Sequence, residues 1–289
     1  GGMTAILRHE LRSYVHSLTG WLYCAFILAF VGVGALMYNI QSAVANFEYV
    51  LGYVCIGLVF IVPVLTMRSL AEERKQKTDQ LLYSLPLTAW HIIGGKFLAL
   101  LTVFTAPLVI VAFYPLLFSR YGEVYLPTSY GSLLAFWLLG AACIAIGMFV
   151  SSLTENQGFA AGIAIVALLL NYFSVSLAEY VSASAFGSFA VLMVLALLLG
   201  LIIRALTRSE TVGYGIAIAL MALLTGMYFI DSTKFEGLVA DIMEQLSLFQ
   251  RFTPFINGVF DVTGLVYYLT VIGFFLFLTV QSLEKRRYN

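Results

Sequence analysis

Eight stretches of this sequence, near 21–40, 49–67, 92–118, 130–153, 157–178, 187–206, 211–230 and 263–283, are each apolar over a length that fits a bilayer-crossing helix. Such a helix needs about 20 apolar residues, and its backbone groups must be satisfied within the segment because hydrocarbon offers no partners. The first stretch is the weakest: it carries Gly32 and Gly34, and its end near Tyr38 is poorly marked. Composition agrees with a membrane protein. Of 289 residues 61% are hydrophobic and 10% charged, with a mean hydropathy of +0.96, where a soluble domain carries about 25% charged residues. The expected fold class is an all-α polytopic membrane protein with about eight transmembrane helices. It forms a single domain over 1–289, because the short loops leave no room for a separate soluble one. Gly1-Gly2 ahead of Met3 reads as an added remnant, and no cleavable signal is expected because a polar stretch precedes the first apolar run.

Eight spans put both termini on one side. That side then holds Arg8, Arg12, Arg68, Arg74, Lys75, Lys77, Lys96, Arg204, Arg208, Lys285, Arg286 and Arg287, and the other holds Arg120, Lys234 and Arg251. Twelve against three is a strong positive-inside bias, so the termini are expected in the cytoplasm.

Two segments are amphipathic without being long or apolar enough to span. Within 3–18, Leu7, Leu11, Val15 and Leu18 recur at helical spacing, with Arg8, Arg12 and His16 off that stripe. A basic helix of this kind beside a span is expected to lie in the membrane interface. Its role is either that of a lever touching a partner or simple anchoring. On the other side, within 236–258, Leu238, Ile242, Leu246 and Phe249 form a second stripe ahead of Pro254 and Gly258. This piece is expected to dip into the outer leaflet, over the mouth of a pathway or as a plain surface helix.

The longest polar interruption is RSLAEERKQKTDQLLYSLPLTAWHIIGGK, from Arg68 to Lys96. The second span is expected to run on as helix through Ala71-Glu72-Glu73-Arg74 to about Leu82, because these are good helix formers. Pro86 forces a turn at Leu85, and Thr88 can cap the helix that becomes the third span. The product is an elbow over 68–92 that carries Leu81, Leu82, Leu85, Leu87 and Trp90 among charges. Such knobs either dock a soluble partner or pack under the bundle.

Thr66-Met67-Arg68, Ala71-Glu72-Glu73-Arg74, Thr78 with Leu81-Leu82, Pro86 and Gly95-Lys96 together resemble the first cytoplasmic loop of type-2 ABC-transporter permeases. The likeness is greatest to the gliding-motility-associated and copper-processing subgroup. Phe252, Pro254, Gly258-Val259-Phe260-Asp261, Tyr267-Tyr268-Leu269 and the ending Leu283-Glu284-Lys285-Arg286-Arg287 extend the resemblance. Two departures stand out: Lys77 and Gln80 replace the usual Gly and Glu around the threonine, and 187–230 looks like a helical hairpin inserted into a six-span plan.

The resemblance implies a non-catalytic permease subunit in a bacterial inner membrane, working as a homo- or heterodimer with a cytoplasmic ATPase. It implies no bound cofactor or metal in this chain, ATP and magnesium entering only through that partner, and no nucleic acid. The elbow would be the coupling helix, with Arg68, Glu72, Glu73, Arg74, Thr78, Leu81, Leu82, Pro86 and Trp90 at the docking surface. The N-terminal helix, with Arg8, Leu11 and Arg12, would be the connecting helix.

The residues themselves argue against other chemistry. Gly94-Gly95-Lys96 is not a phosphate loop, because Phe97 follows the lysine where Ser or Thr must hold magnesium, and Trp90 stands where the leading Gly belongs. His9, His16 and His91 have no zinc-binding spacing, and Cys24, Cys55 and Cys143 lie far apart in spans. No ionisable residue sits near a span centre, which weighs against an ion-coupled secondary transporter. A membrane anchor for a cytoplasmic complex remains open. The most polar in-span cluster holds Asn171, Tyr172, Ser174 and Ser176. Asn171 and Ser174 are candidates for a pathway or for helix packing, as are Gly158 and Gly162, a small-xxx-small pair. A weakly polar path leans toward amphipathic, lipid-like or peptide-like cargo.

Overall fold

The structure, a computed structural model, describes residues 2–42, 46–71, 88–181 and 183–288. Every regular element among them is helical. Among the described residues seven helices are long and apolar enough to cross a membrane: Leu18–Gln41, Glu48–Thr66, Ala89–Phe118, Leu126–Ser151, Ala185–Ala205, Glu210–Ile230 and Val262–Lys285. The expected fifth span over 157–178 is instead two pieces. Gln157–Tyr172 is followed by a break at Phe173 and a short helix, Ser174–Ala178. At 1.5 Å per residue the first piece covers about 24 Å, less than the ~30 Å of a hydrocarbon core. The break falls where Asn171 and Ser174 interrupt the apolar sequence.

The chain divides into two compact units, 1–172 with 251–289, and 173–250. The first unit contains α1 (Gly2–Val15), α2 (Leu18–Ala35, continued by a π-helical turn to Gln41), α3 (Glu48–Thr66), α4 (Ala89–Val111), α5 (Tyr114–Phe118), α6 (Leu126–Ser151) and α7 (Gln157–Tyr172). The chain returns to it with α12 (Thr253–Ile256) and α13 (Val262–Tyr288). Its centre is α3 and α6, with 67% and 72% of their most apolar windows buried against 17% for α13. Large side chains fill the space between helices. Tyr23 donates to the Phe104 carbonyl at 3.2 Å, Phe104 stacks on Phe136, and Phe136 meets Phe252 edge-on.

At one end of this unit Phe47 is fully buried between Tyr114 and Phe118. The neighbouring Glu48 is 5% exposed at the N-terminus of α3, where the helix dipole favours a negative charge. Its two carboxylate oxygens accept from Asn46 Nδ2 at 3.0 Å and Ser129 Oγ at 3.2 Å. One turn along α6, Ser132 donates to the Phe255 carbonyl at 2.9 Å and holds the turn before α13.

The second unit is built on a hairpin of α9 (Ala185–Thr207) and α10 (Glu210–Ile230), accompanied by α8 (Ser174–Ala178) and α11 (Leu238–Leu246). The hydroxyls of Ser184 and Ser209 cap α9 and α10 by accepting from Gly187 N and Val212 N. Arg208 turns the chain between them at φ 54°. The two helices approach closely because Gly200 and Gly213 face each other. A Cβ on Gly200 would lie 2.8 Å from the Gly213 carbonyl oxygen, so an alanine there would force the hairpin apart. Phe189, Tyr228 and Phe235 close the far end of the hairpin.

In α11 and just beyond it, exposure is divided along the expected stripe. Val239 is buried, whereas Ile242 is 38% and Leu246 55% exposed. Ile242 and Leu246 of the stripe therefore face away from the unit, toward what in a membrane protein is lipid, whereas Phe249 at its end is buried with Val239 on the packed side.

Candidate functional site at the root of residues 72–87

Residues 72–87 lie outside the described residues, and with them Glu72, Glu73, Arg74, Thr78, Leu81, Leu82 and Pro86. Their two attachment points are described. The helix expected to run unbroken from the second span ends at Thr66, and Met67–Leu70 form a turn before helix resumes at Ala71. The cause is a side chain from another helix. Ser151 at the end of α6 donates its hydroxyl to the Met67 carbonyl at 2.9 Å, and the same oxygen accepts from Leu70 N at 3.2 Å and Ala71 N at 3.1 Å. Within a continuous helix Ala71 N would bond the Met67 carbonyl directly. The serine hydroxyl stands inside that ladder and relays the bond, a recognised way to open a helix without leaving backbone groups unpaired.

The other attachment is the start of α4. Thr88 caps it as expected, its hydroxyl accepting from His91 N at 3.3 Å. Trp90, in the first turn, is 48% exposed. Two turns in, Lys96 is 1% exposed, among the most buried side chains of the protein. Its ammonium donates to Glu10 Oε1 at 2.7 Å and to the Ser69 carbonyl at 3.0 Å. A cation this deep is tolerated only when paired and hydrogen-bonded. The pair therefore fastens three segments at one point: α1 through Glu10, the turn after α3 through Ser69, and α4.

Close approach makes that contact available. A Cβ on Gly95 would lie 2.7 Å from Ile6 Cγ2 and 3.0 Å from the Met3 carbonyl oxygen, and one on Gly94 would lie 2.6 Å from the Met3 side chain. The glycines ahead of Lys96 admit α1 to the surface of α4, which accounts for a Gly-Gly-Lys sequence with no phosphate-loop context.

Arg68 completes the cluster. Its guanidinium sits 5.1 Å from the Tyr14 ring centroid and hydrogen-bonds the hydroxyl. Tyr14 is 3% exposed. Burial, reinforced by the Glu10 charge, pushes its hydroxyl well above the ordinary tyrosine range, while Lys96 and Arg68 pull the other way. It is a neutral hydrogen-bonding group at any physiological pH.

The packing face of α1 is thus Met3, Ile6, Glu10 and Tyr14. The expected stripe is the outward one: Val15 is 55% and Leu18 73% exposed, and Leu7 and Leu11 are partly exposed. Arg8 and Arg12 are exposed beside it. Of the sequence candidates, the structure brings Arg68 into the cluster and leaves Trp90, Arg8, Leu11 and Arg12 at the surface. Glu10, Tyr14, Ser69 and Ser151 are missing from the sequence reading. One signal pointed to them: Lys96 lies inside the expected third span, and a lysine there requires a carboxylate from elsewhere.

The remaining candidates take no part in these contacts. Ser174 donates to the Met243 carbonyl at 3.4 Å, a contact between α8 and α11. Asn171 is half-buried near the end of α7. Gly158 and Gly162 are exposed, and a Cβ on Gly162 would meet nothing within 4 Å. Among the described residues no group of three or more His, Cys, Asp or Glu could hold a metal ion.

Residues 30–178 match a family model described as ABC-2 family transporter protein. The match takes in 149 of the 289 residues, from α2 through α8. No curated protein matches the chain.

Proposed function

We propose that this chain, which belongs to the ABC-2 transporter family, is a permease subunit that a separate cytoplasmic ATPase drives through residues 72–87. Membership makes it the membrane component of an ABC transporter; the coupling is our reading. The observation that carries it is the construction of the root. The Lys96–Glu10–Ser69 cluster and the Ser151 relay join α1, α3, α4 and α6 where the 72–87 segment leaves and re-enters the bundle. A load applied to that segment reaches four helices at once, as rocking of packed helices requires. In this reading ATP and magnesium enter with the partner, in keeping with Phe97 standing after Gly94-Gly95-Lys96 where a phosphate loop needs Ser or Thr.

In this reading 157–178 still crosses as a broken segment and makes the eighth crossing, so that the protein sits in a bacterial inner membrane with both termini in the cytoplasm, the side that then carries twelve of its fifteen basic residues. Residues 187–230 are an inserted hairpin, and the subunit works in pairs. Gly158 and Gly162 are the surface we assign to the second copy, since they face outward with no neighbour on Gly162. The gliding-motility and copper-processing subgroup is the nearest one by motif, the work we assign is export or an envelope-linked process, and a path without mid-span charge leans toward an amphipathic, lipid-like or peptide-like substrate. An ion-coupled secondary transporter and a passive anchor are the rivals.

Leu81→Asp, or charge reversal at Glu72 and Glu73, tests the docking surface. The variants should insert normally yet lose co-purification of the ATPase, and unchanged recovery with unchanged ATPase coupling would refute it. Transport that persists without ATP would favour the secondary transporter. An ATPase that binds but is unaffected by Lys96 substitutions would favour the anchor. Labelling of a cysteine at Ser209 should occur only from the cytoplasm.

A further inference from the structure

The charge on α1 is one-sided in a way that the helix sequence alone does not show. Its single carboxylate, Glu10, is consumed by Lys96 at 2.7 Å and points into the bundle. The outward side keeps Arg8 and Arg12, one turn apart and exposed, with His9 and His16 near them. Among the described residues neither arginine has an acidic partner. Both border the outward stripe of Leu7, Leu11 and Val15, which continues into exposed Leu18 and Trp21 at the start of α2. The Trp21 indole donates to the Val15 carbonyl at 2.7 Å, fixing the corner between α1 and the first span. An apolar stripe at the level of a span end, edged by two unpaired guanidiniums and an interfacial tryptophan, has the profile of a lipid surface rather than of a water-facing helix. Guanidinium matches phosphate oxygens in geometry as well as charge.

We propose that the outward edge of α1, through Arg8 and Arg12, binds the headgroups of anionic phospholipids. The stripe enters the acyl region while the two arginines reach the phosphate level beside it, as long cationic side chains do at an interface. Binding of this kind draws on surface potential and direct phosphate contact, with about 1 kcal/mol, or roughly fivefold, for each arginine near the surface. It does not depend on an ATPase partner, so it stands or falls separately from the coupling reading.

Trp21 provides the test. In full-length protein carrying Trp90→Phe and Trp137→Phe, it is the sole tryptophan. The protein is placed in bilayers containing brominated phosphatidylglycerol or brominated phosphatidylcholine, and Trp21 quenching is compared at equal mole fraction. The expected result is several-fold preferential quenching by the glycerol lipid, reduced at high salt and lost in Arg8→Gln/Arg12→Gln. Quenching by the choline lipid should stay unchanged in that variant, which reports an intact fold. Arg8→Lys/Arg12→Lys should retain most of the preference and serves as the second variant if the glutamines disturb the protein. Equal quenching by the two lipids in the parent protein would overturn the proposal, as would a preference that survives the glutamines. Loss of the preference in sodium phosphate but not in chloride at equal ionic strength would assign the arginines to free phosphate and overturn it as well.

Discussion

Lys96 and Glu10, 86 residues apart in sequence, meet at 2.7 Å in a site where the lysine keeps 1% and the glutamate 13% of its side-chain exposure. The lysine would be prohibitively expensive there without the glutamate, and the glutamate sits on a helix that could otherwise float in the interface. Each residue thereby explains the position of the other.

Removing one member of this pair should therefore cost more than removing both. Lys96→Met leaves the Glu10 carboxylate and the Ser69 carbonyl without their donor, a loss of roughly 3 kcal/mol, toward the lower end for broken buried pairs because Glu10 retains some water. Lys96→Met with Glu10→Leu should recover most of it. Thermal unfolding of the purified protein in lipid discs reads both variants, and equal destabilisation by the single and double substitutions would contradict the pairing.

Ser151→Ala removes the hydroxyl that relays the helix ladder at Met67. Two backbone amides and one carbonyl then lose a partner in a buried setting, at about 1–3 kcal/mol in local opening. Hydrogen exchange should accelerate at Leu70 and Ala71 while the centre of α3, near Leu58, stays protected. Faster exchange along the whole of α3 would mean that the serine supports the helix rather than the joint.

Gly95→Ala places a methyl 2.7 Å from Ile6 Cγ2 and against the Met3 carbonyl. Overpacking of this kind costs about 1–3 kcal/mol, and α1 is the element free to move away. Disulfide trapping between cysteines introduced at Met3 and Gly94 should fall in the alanine background and return partly with Ile6→Ala. Trapping at the parent rate would show that α1 does not need the glycine.

Tyr14 should make the protein sensitive to alkali. Its hydroxyl is held neutral in the folded state by burial and by Glu10, whereas in the unfolded chain it ionises near pH 10.0. The unfolded state thus binds fewer protons above that pH, and stability falls as pH rises beyond it. Tyr14→Phe should remove this part of the alkaline slope while leaving the neutral-pH midpoint only slightly lower, through loss of the Arg68 hydrogen bond. Parallel alkaline slopes in the two proteins would refute the assignment.

Hydrophobic runs marked most of the fold in advance because a spanning helix is a property of one segment. The cap at Thr88 and the positions of α2, α3, α4, α6, α9, α10 and α13 were legible on that basis. Faces were not. In α1 and α11 the periodic stripe, Leu7-Leu11-Val15 and Ile242-Leu246, lies outward, as an interfacial segment requires, and it leaves the packed side unmarked. A membrane protein has two apolar surroundings, lipid and protein, and periodicity cannot tell them apart. The protein-facing side of α1 instead uses Glu10 and Tyr14, whose partners are remote in sequence. Ser151 is invisible for the same reason: a serine at a helix end has many uses, and only the position of Met67 selects this one. Asn171 and Ser174 foreshadow the break at Phe173, but in the sequence the apolar content of 157–178 outweighs them.

The Ser151 relay also bears on how the protein could change shape repeatedly without damage. An unbroken α3 could bend at Met67 only by rupturing its own backbone bonds, each time exposing groups that hydrocarbon cannot satisfy. With a hydroxyl interposed, the hinge has a donor and an acceptor that can rotate about one side-chain torsion and follow the backbone through the motion. Were the joint to move, the change would fall on the Ser151 side chain, and α3 up to Thr66 would keep its own bonds.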